Sequence, residues 1–326
     1  MLPYGKPLKE NKSCSDCLVR RCCSCWLAYP LPRWRKRPET VNIGYQKANI
    51  FALLKYRGTL DETFKKQGIA VRWIEFPAGP QMLEGLNVGS IDLAATGDAP
   101  PAFAQAAQAD LVYLAHSPAN PKTEAIVVAE NSEIKSVADL KGKRVGLNKG
   151  SDVNYLLVAA LEKAGLSYKD ITPVYLPPAD ARAAFQRGAI DAWVIWDPFL
   201  AEVETNAKAR QIRNAEGLVP HYTFYLASRK FADTYPETAK QVVDELGKLS
   251  EWANSHQDDA AGILSASTGL DKAIWLKTLA RLPYGAERMT PAVYNEQQAL
   301  ADTFTRIGLL PVKVDVRSAT WSLDKQ

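Results

Sequence analysis

The stretch Pro80–Asp98 (PQMLEGLNVGSIDLAATGD) comes back, altered but in step, as Pro178–Asp197 (PADARAAFQRGAIDAWVIWD). Gly89-Ser90-Ile91-Asp92 lines up with Gly188-Ala189-Ile190-Asp191, and each run is followed six residues later by a second aspartate, Asp98 or Asp197. The grammar is the same in both. A proline suits the first turn of a helix, where its missing N–H has no partner to lose, and a glycine stops the helix by taking a left-handed backbone. A short apolar run then reads as a buried strand, with an acid just past its end.

The flanks of the two stretches also match. Val41–Tyr45 alternates as a strand and leads into Gln46-Lys47-Ala48-Asn49, and Lys143–Leu147 leads into Asn148-Lys149-Gly150-Ser151. The spacing predicts a helix over Asn49–Phe64 and a strand over Val71–Phe76. Ala125–Ala129 reads as a crossover strand, Ser136-x-x-Asp139 as a capping-box helix start, and Phe224–Ala227 as a strand returning to the first lobe. Strands alternating with helices imply βαβ units and a mostly parallel sheet. The expected architecture is α/β, with two like lobes, a central cleft and a hinge of two chain crossings. Residues 41–126 form the first part of lobe 1, 127–219 form lobe 2, and 220–326 return to lobe 1 and end in helices. Two apolar stripes in that tail, Val242/Val243/Leu246/Leu249/Trp252/Ala253 and Val293/Leu300/Phe304/Ile307, read as packing faces.

Charge divides the chain unevenly. Of 40 Lys+Arg and 36 Asp+Glu in 326 residues, residues 1–40 hold nine basic and three acidic groups. The net +4 is therefore a property of the head, and the body is mildly acidic. All five cysteines (Cys14, Cys17, Cys22, Cys23, Cys25) also lie in the head. A mildly acidic body is not a nucleic-acid surface, and a cysteine-free one excludes thiol catalysis and thiolate metal sites there. The cysteine spacing in the head is compatible with zinc, but no histidine accompanies it. The expectation for residues 1–40 is an unstructured or aberrant leader, with only a poor signal-peptide apolar region. No apolar run is long enough to span a membrane.

In open parallel sheets, ligands bind beyond the carboxyl ends of strands, where helix N-termini point. The positions that fall there are Gln46, Gly79, Pro80, Thr96, Gly97 and Asp98 from the first lobe, and Gly150, Ser151, Trp196 and Asp197 from the second. Tyr225 adds apolar surface with Trp196 and Phe199. Free N–H groups at helix starts favour an oxyanion without Arg or Lys. The expected ligand is a compact oxyanion with a modest organic tail, and Asp98 or Asp197 would meet an ammonium if it is zwitterionic. Only His116, His221 and His256 are present, and no Gly-x-Ser-x-Gly, Walker or Gly-x-Gly-x-x-Gly motif occurs. No catalytic residue, metal ligand in the body or cofactor is expected.

The strings Gly44-Tyr45-Gln46-Lys47, Glu75-Phe76-Pro77-Ala78-Gly79-Pro80-Gln81, Leu86–Asp92, Thr96-Gly97-Asp98 and Ile195-Trp196-Asp197-Pro198 resemble periplasmic aliphatic sulfonate-binding proteins of ABC importers over about residues 41–321. The resemblance implies a type II periplasmic-binding-protein fold closing as a monomer on an alkanesulfonate. It further implies delivery to an inner-membrane permease and its ATPase, and a periplasmic location. Asp152 stands beside the anion loop where relatives carry neutral residues. Taurine, nitrate and thiamine-precursor carriers of the same fold are alternatives. So is a thiamine-pyrimidine synthase, whose cysteine-rich string Cys22-Cys23-Ser24-Cys25-Trp26 resembles superficially.

Overall fold

The computed structural model describes residues 36–47 and 49–321; the leader expectation for the head, including its cysteines, falls outside them save for residues 36–40. Ten strands form two five-stranded sheets. They are β1 (Thr40–Tyr45), β2 (Ala70–Glu75), β3 (Leu93–Thr96), β4 (Leu111–His116), β5 (Glu124–Val128), β6 (Arg144–Leu147), β7 (Thr172–Tyr175), β8 (Ala192–Trp196), β9 (Arg210–Asn214) and β10 (Phe224–Ser228). The sheet orders are β2-β1-β3-β10-β4 and β7-β6-β8-β5-β9.

The two orders are one pattern used twice. In the first sheet β1 runs parallel to β2 and β3, while β10 is antiparallel to β3 and β4. In the second, β6 runs parallel to β7 and β8, while β5 is antiparallel to β8 and β9. The sequence repeat is therefore a structural repeat, and side chains show why it recurs. Asp92 accepts the Asn42 N–H at 2.8 Å, and Asp191 accepts the Arg144 N–H at 2.8 Å, so each carboxylate, just before β3 or β8, ties that strand to its neighbour β1 or β6. A Cβ on Gly44 would lie 2.5 Å from Ile91 Cδ1, and one on Gly146 would lie 2.3 Å from Ile190 Cδ1. In each lobe a glycine strand position makes room for the isoleucine of the Gly-x-Ile-Asp turn.

Among the described residues, twelve α-helices cover the sheets: α1 (Ile50–Arg57), α2 (Thr59–Lys65), α3 (Gly79–Asn87), α4 (Ala99–Ala106), α5 (Asp152–Lys163), α6 (Pro178–Gln186), α7 (Phe199–Asn206), α8 (Arg229–Thr234), α9 (Pro236–Ser255), α10 (Gln257–Thr268), α11 (Lys272–Leu279) and α12 (Pro291–Arg306). Two expectations need correction. The single helix over Asn49–Phe64 is two helices, because Gly58 takes φ +72° and its N–H closes α1 onto the Leu54 and Lys55 carbonyls. The Ser136–Asp139 capping box does form, but it opens only a four-residue 3-10 turn, Val137–Leu140.

The tail stripes pack as expected. Val242, Leu246, Leu249 and Ala253 are buried on α9 against the first sheet's core, and Val293, Leu300 and Phe304 are buried on α12. Each fully buried Val, Leu or Phe contributes about 1.5–3 kcal/mol of apolar transfer energy, so this docking holds the tail.

The chain passes between the sheets twice, after β4 and after β9. The crossings bond to each other: the Asn120 N–H donates to the His221 carbonyl at 2.9 Å, and the Ser117 N–H to the Thr223 carbonyl at 2.8 Å. His221 sits there at φ +51°, a left-handed backbone that a non-glycine residue adopts only when its surroundings hold it.

Candidate functional site

Between the sheets lies a cavity of about 70 Å³, well above the roughly 10–15 Å³ that a single water needs. From the first sheet's side it is lined by Gln46, Asn49, Gly79, Thr96, Gly97 and Tyr225. The second sheet's side supplies Asp152, Trp196 and Asp197; the crossings supply Ser117, Asn120, Thr123, His221 and Thr223. Ile50, Ala95, Leu282 and Tyr284 complete the wall.

Among the described residues no Lys or Arg lines this cavity. Its positive potential comes from backbone. Asn49 caps α1, accepting the Phe51 N–H at 3.0 Å. Gly79 is the first residue of α3, Asp152 is the first of α5, and Asp197 lies two residues before α7. Each helix start carries N–H groups that have no partner within the helix and about half a positive charge. Four of them at one small cavity can hold an anion by dipoles.

The cavity's hydroxyls are mostly committed. Thr96 donates to the Gly97 carbonyl at 3.0 Å, Ser117 to Pro118 at 2.8 Å and Thr123 to Asn120 at 2.8 Å. Tyr225 donates to the Gly285 carbonyl at 2.7 Å and so presents its ring to the cavity wall. The Tyr284 hydroxyl is the exception, being buried with no hydrogen-bond partner. Burial alone raises its pKa, so it stays a donor at any ordinary pH.

Acid groups at the cavity are treated unequally. Burial pushes the Asp197 carboxyl up to about 7, although the Arg281 guanidinium, 3.5 Å away, pulls the other way. Asp197 also accepts the Ala201 N–H at 2.9 Å. Burial raises Asp152 above the usual carboxylate range against the pull of His221. Asp98 and Glu124, buried behind it, are held well above that range, by burial first and then by repulsion from Asp152. Burial lowers the His221 pKa.

The two sides are in contact. A Cβ on Gly97 would lie 2.7 Å from Asp152 Cγ, so the loop after β3 touches the start of α5 across the cleft.

Comparison with known proteins decides the family. Residues 62–260 match the NMT1/THI5-like family. A chain of Escherichia coli (strain K12) named "Putative aliphatic sulfonates-binding protein" is 44% identical over 286 residues, covering 87% of this chain and 89% of that one. The solved alkanesulfonate-binding protein SsuA from Xanthomonas axonopodis pv. citri, bound to MOPS, is 43% identical with a TM-score of 0.84, covering 88% of this chain and 99% of that one. The periplasmic aliphatic sulphonate-binding protein SsuA from Escherichia coli is 43% identical with a TM-score of 0.78, covering 88% and 93%. The chain belongs to the aliphatic sulfonate-binding proteins. The type II two-lobed fold expected from the sequence is thereby shown.

Within this sulfonate-binding fold, seven of the expected site residues come together at the cavity: Gln46, Gly79, Thr96, Gly97, Trp196, Asp197 and Tyr225. The other four stand apart from its lining. Pro80 and Gly150 line a separate groove with Pro100 and Phe103. Ser151 is buried, and its hydroxyl donates to the Asn148 carbonyl at 2.7 Å. Asp98 lies behind Gly97 with its carboxylate toward His221. Asp152, not Gly150-Ser151, is what α5 presents to the cavity. The sequence reading did not single out Asn49, Ile50, the crossing residues other than His221, or Tyr284. Asn49 alone carried a usable signal there, as an N-cap residue one position before an apolar helix. No helix among the described residues is long and apolar enough to cross a membrane.

Proposed function

We propose that this chain is the substrate-binding component of an ABC importer, working in the periplasm. In this reading it captures an aliphatic sulfonate between its lobes and presents it to an inner-membrane permease and ATPase. The observation that carries the reading is the cavity at which four helix starts meet with no Lys or Arg in the wall. A sulfonate spreads one charge over three oxygens, which suits several weak dipoles better than one strong cation. Ile50, Trp196, Leu282 and the Tyr225 ring give a carbon tail an apolar wall that nitrate would leave unused. The chain works as a monomer and binds without turnover.

The crossings at 117–123 and 215–223 serve as the hinge. The lobe boundary at 126/127 falls inside β5, so we place it just before that strand. Bound sulfonate contacts both lobes only when they are closed, and its binding energy shifts the equilibrium toward that state.

Calorimetry with methane-, ethane- and propanesulfonate tests the reading. Binding in the micromolar range is expected, weakened about tenfold by Tyr284→Phe or Gln46→Ala. No binder in the panel, or full affinity in both variants, overturns it. Ethanesulfonate should outcompete taurine; the reverse order, abolished by Asp152→Asn, would assign an aminosulfonate instead.

A further inference from the structure

At the junction of the crossings with both sheets, four titratable side chains face one another without touching. His221 Nδ1 lies 3.7 Å from Glu124 Oε2 and 3.9 Å from Asp98 Oδ2, while Nε2 lies 3.8 Å from Asp152 Oδ2. All three separations exceed a hydrogen bond. The residues are at most 9% exposed. Both Glu124 carboxylate oxygens, Asp98 Oδ1 and His221 Nδ1 are buried with no hydrogen-bond partner. Among the described residues no Lys or Arg pairs with Asp98, Glu124 or Asp152. Compare Asp197, which has Arg281.

Buried carboxylate and imidazole atoms without partners at such spacing would gain from a positive centre that they can share. One ligand atom from each of Glu124, Asp152 and His221 lies within 4.8 Å of the others. The ion would sit on Nε2 beside Asp152, with Glu124 swinging in from the Nδ1 side, at the about 2.0–2.2 Å of Zn–N and Zn–O bonds, which leaves Nδ1–H to Asp98. We propose that Glu124, Asp152 and His221 form a divalent transition-metal site at the lobe junction, with Asp98 as the outer carboxylate that orients the imidazole. The mixed nitrogen and oxygen donors fit Zn²⁺, Co²⁺ or Mn²⁺ and not Ca²⁺ or Mg²⁺, which take all-oxygen shells. Glu124 opens β5, Asp152 opens α5 and His221 lies in the second crossing, so the ion ties lobe 2 to the hinge. Asp152 and His221 also line the cavity. The ion therefore places positive charge beside the bound anion, in a wall that has no Lys or Arg, and metal and anion strengthen each other's binding.

The test is titration of Co²⁺ into the metal-stripped full-length chain with no sulfonate present, so that its failure is distinct from a failure of the sulfonate reading. The head cysteines are a second source of ligands. The titration is therefore repeated in a variant carrying Cys14→Ser, Cys17→Ser, Cys22→Ser, Cys23→Ser and Cys25→Ser. One Co²⁺ bound by that variant, without a thiolate-to-cobalt charge-transfer band, is expected. His221→Gln and Glu124→Gln should each weaken it by more than roughly tenfold. Loss of all binding in the cysteine-free variant, or unchanged affinity in His221→Gln, overturns the site. Should both single variants misfold, X-ray absorption of the Zn²⁺-loaded cysteine-free variant decides. One imidazole in the metal shell supports the site, and a shell without imidazole overturns it.

Discussion

The two sheets use the same clamps at one end and different chemistry at the other. At the inner turn, Gly44, Ile91 and Asp92 in one lobe do what Gly146, Ile190 and Asp191 do in the other. At the cleft, β3 ends in Thr96-Gly97-Asp98 and β8 ends in Trp196-Asp197-Pro198. Asp98 and Asp197 hold equivalent places in the repeat. Asp197 is offset by Arg281 and a backbone N–H, whereas Asp98 is buried against other acids and His221. The scaffold repeats because backbone geometry needs it. In the proposed reading the strand ends differ because they meet the ligand, and ligand contacts are not required to be symmetric.

Removing the cation that separates the two aspartates should have the largest effect. Arg281 serves both Asp197 and Glu204, and its side chain is mostly buried. Arg281→Met leaves the Asp197 carboxylate without its guanidinium while Glu204 keeps Lys277 at 2.8 Å, at an expected loss of about 3 kcal/mol near pH 7. The denaturation midpoint measures this, and Asp197→Asn added to Arg281→Met should recover part of it. No loss from Arg281→Met would mean that Asp197, like Asp98, is held without a cation, and the contrast between the lobes would vanish.

Titration sharpens the same contrast. With the Asp197 carboxyl at about 7 when folded and 3.8 ordinarily, the native chain holds a proton that the unfolded chain has lost across that window. Stability must then fall as pH rises from about 4 to about 7, and level off above. At about 1.4 kcal/mol per unit the swing is a few kcal/mol. Asp197→Asn should flatten that part of the profile, read as the difference between the variant and wild-type curves. An unchanged profile would mean that Arg281 dominates over burial.

Much of this was legible in the sequence because repeats and stops are local. Pro80, Gly89, Pro178 and Gly188 mark helix ends through their own backbone limits, and the Gly-x-Ile-Asp turn recurs because it needs three particular side chains. Strand-end positions such as Thr96 and Trp196 could be placed in the cleft from topology alone. Gly58 was passed over because one glycine in an apolar run is tolerated in a helix, and only its φ of +72° shows the break. Ser151 was misplaced at the cavity because a hydroxyl at a helix start has two uses, and here it bonds the Asn148 carbonyl. Tyr284 and the Ser117–Thr123 crossing reach the cavity through tertiary packing, which leaves no periodic trace.

The inner clamps should respond alike and by less. Gly44→Val and Gly146→Val each push a side chain onto an isoleucine, Ile91 or Ile190, at an expected 1–3 kcal/mol, about what overpacking costs. Ile91→Ala and Ile190→Ala, combined with their own lobe's glycine variant, should relieve part of that loss. Relief in one lobe only would show that the glycines answer to different neighbours.

The smallest effect separates clamp from surface charge. Asp92 and Asp191 both accept a strand N–H, but Asp92 adds only the Asn42 side-chain amide, while Asp191 adds the Arg144 guanidinium at 2.8 Å. That ion pair is 47% and 30% exposed, so solvent screens it, and such pairs contribute about 0–1 kcal/mol. Arg144→Ala should therefore cost under about 1 kcal/mol, and less still at high salt. Asp92→Ala and Asp191→Ala should each cost about 1–3 kcal/mol through the orphaned strand N–H, with Asp191→Ala ahead by no more than the Arg144→Ala value. Arg144 also holds the Asp191 carboxyl below its usual range, and the lowered value means that this stabilisation is present at neutral pH and lost on acidification through the folded value. If Arg144→Ala instead matched Asp191→Ala, the guanidinium and not the strand N–H would be what the repeated aspartate serves in the second lobe, and the likeness of the two turns would be one of sequence without one of cause.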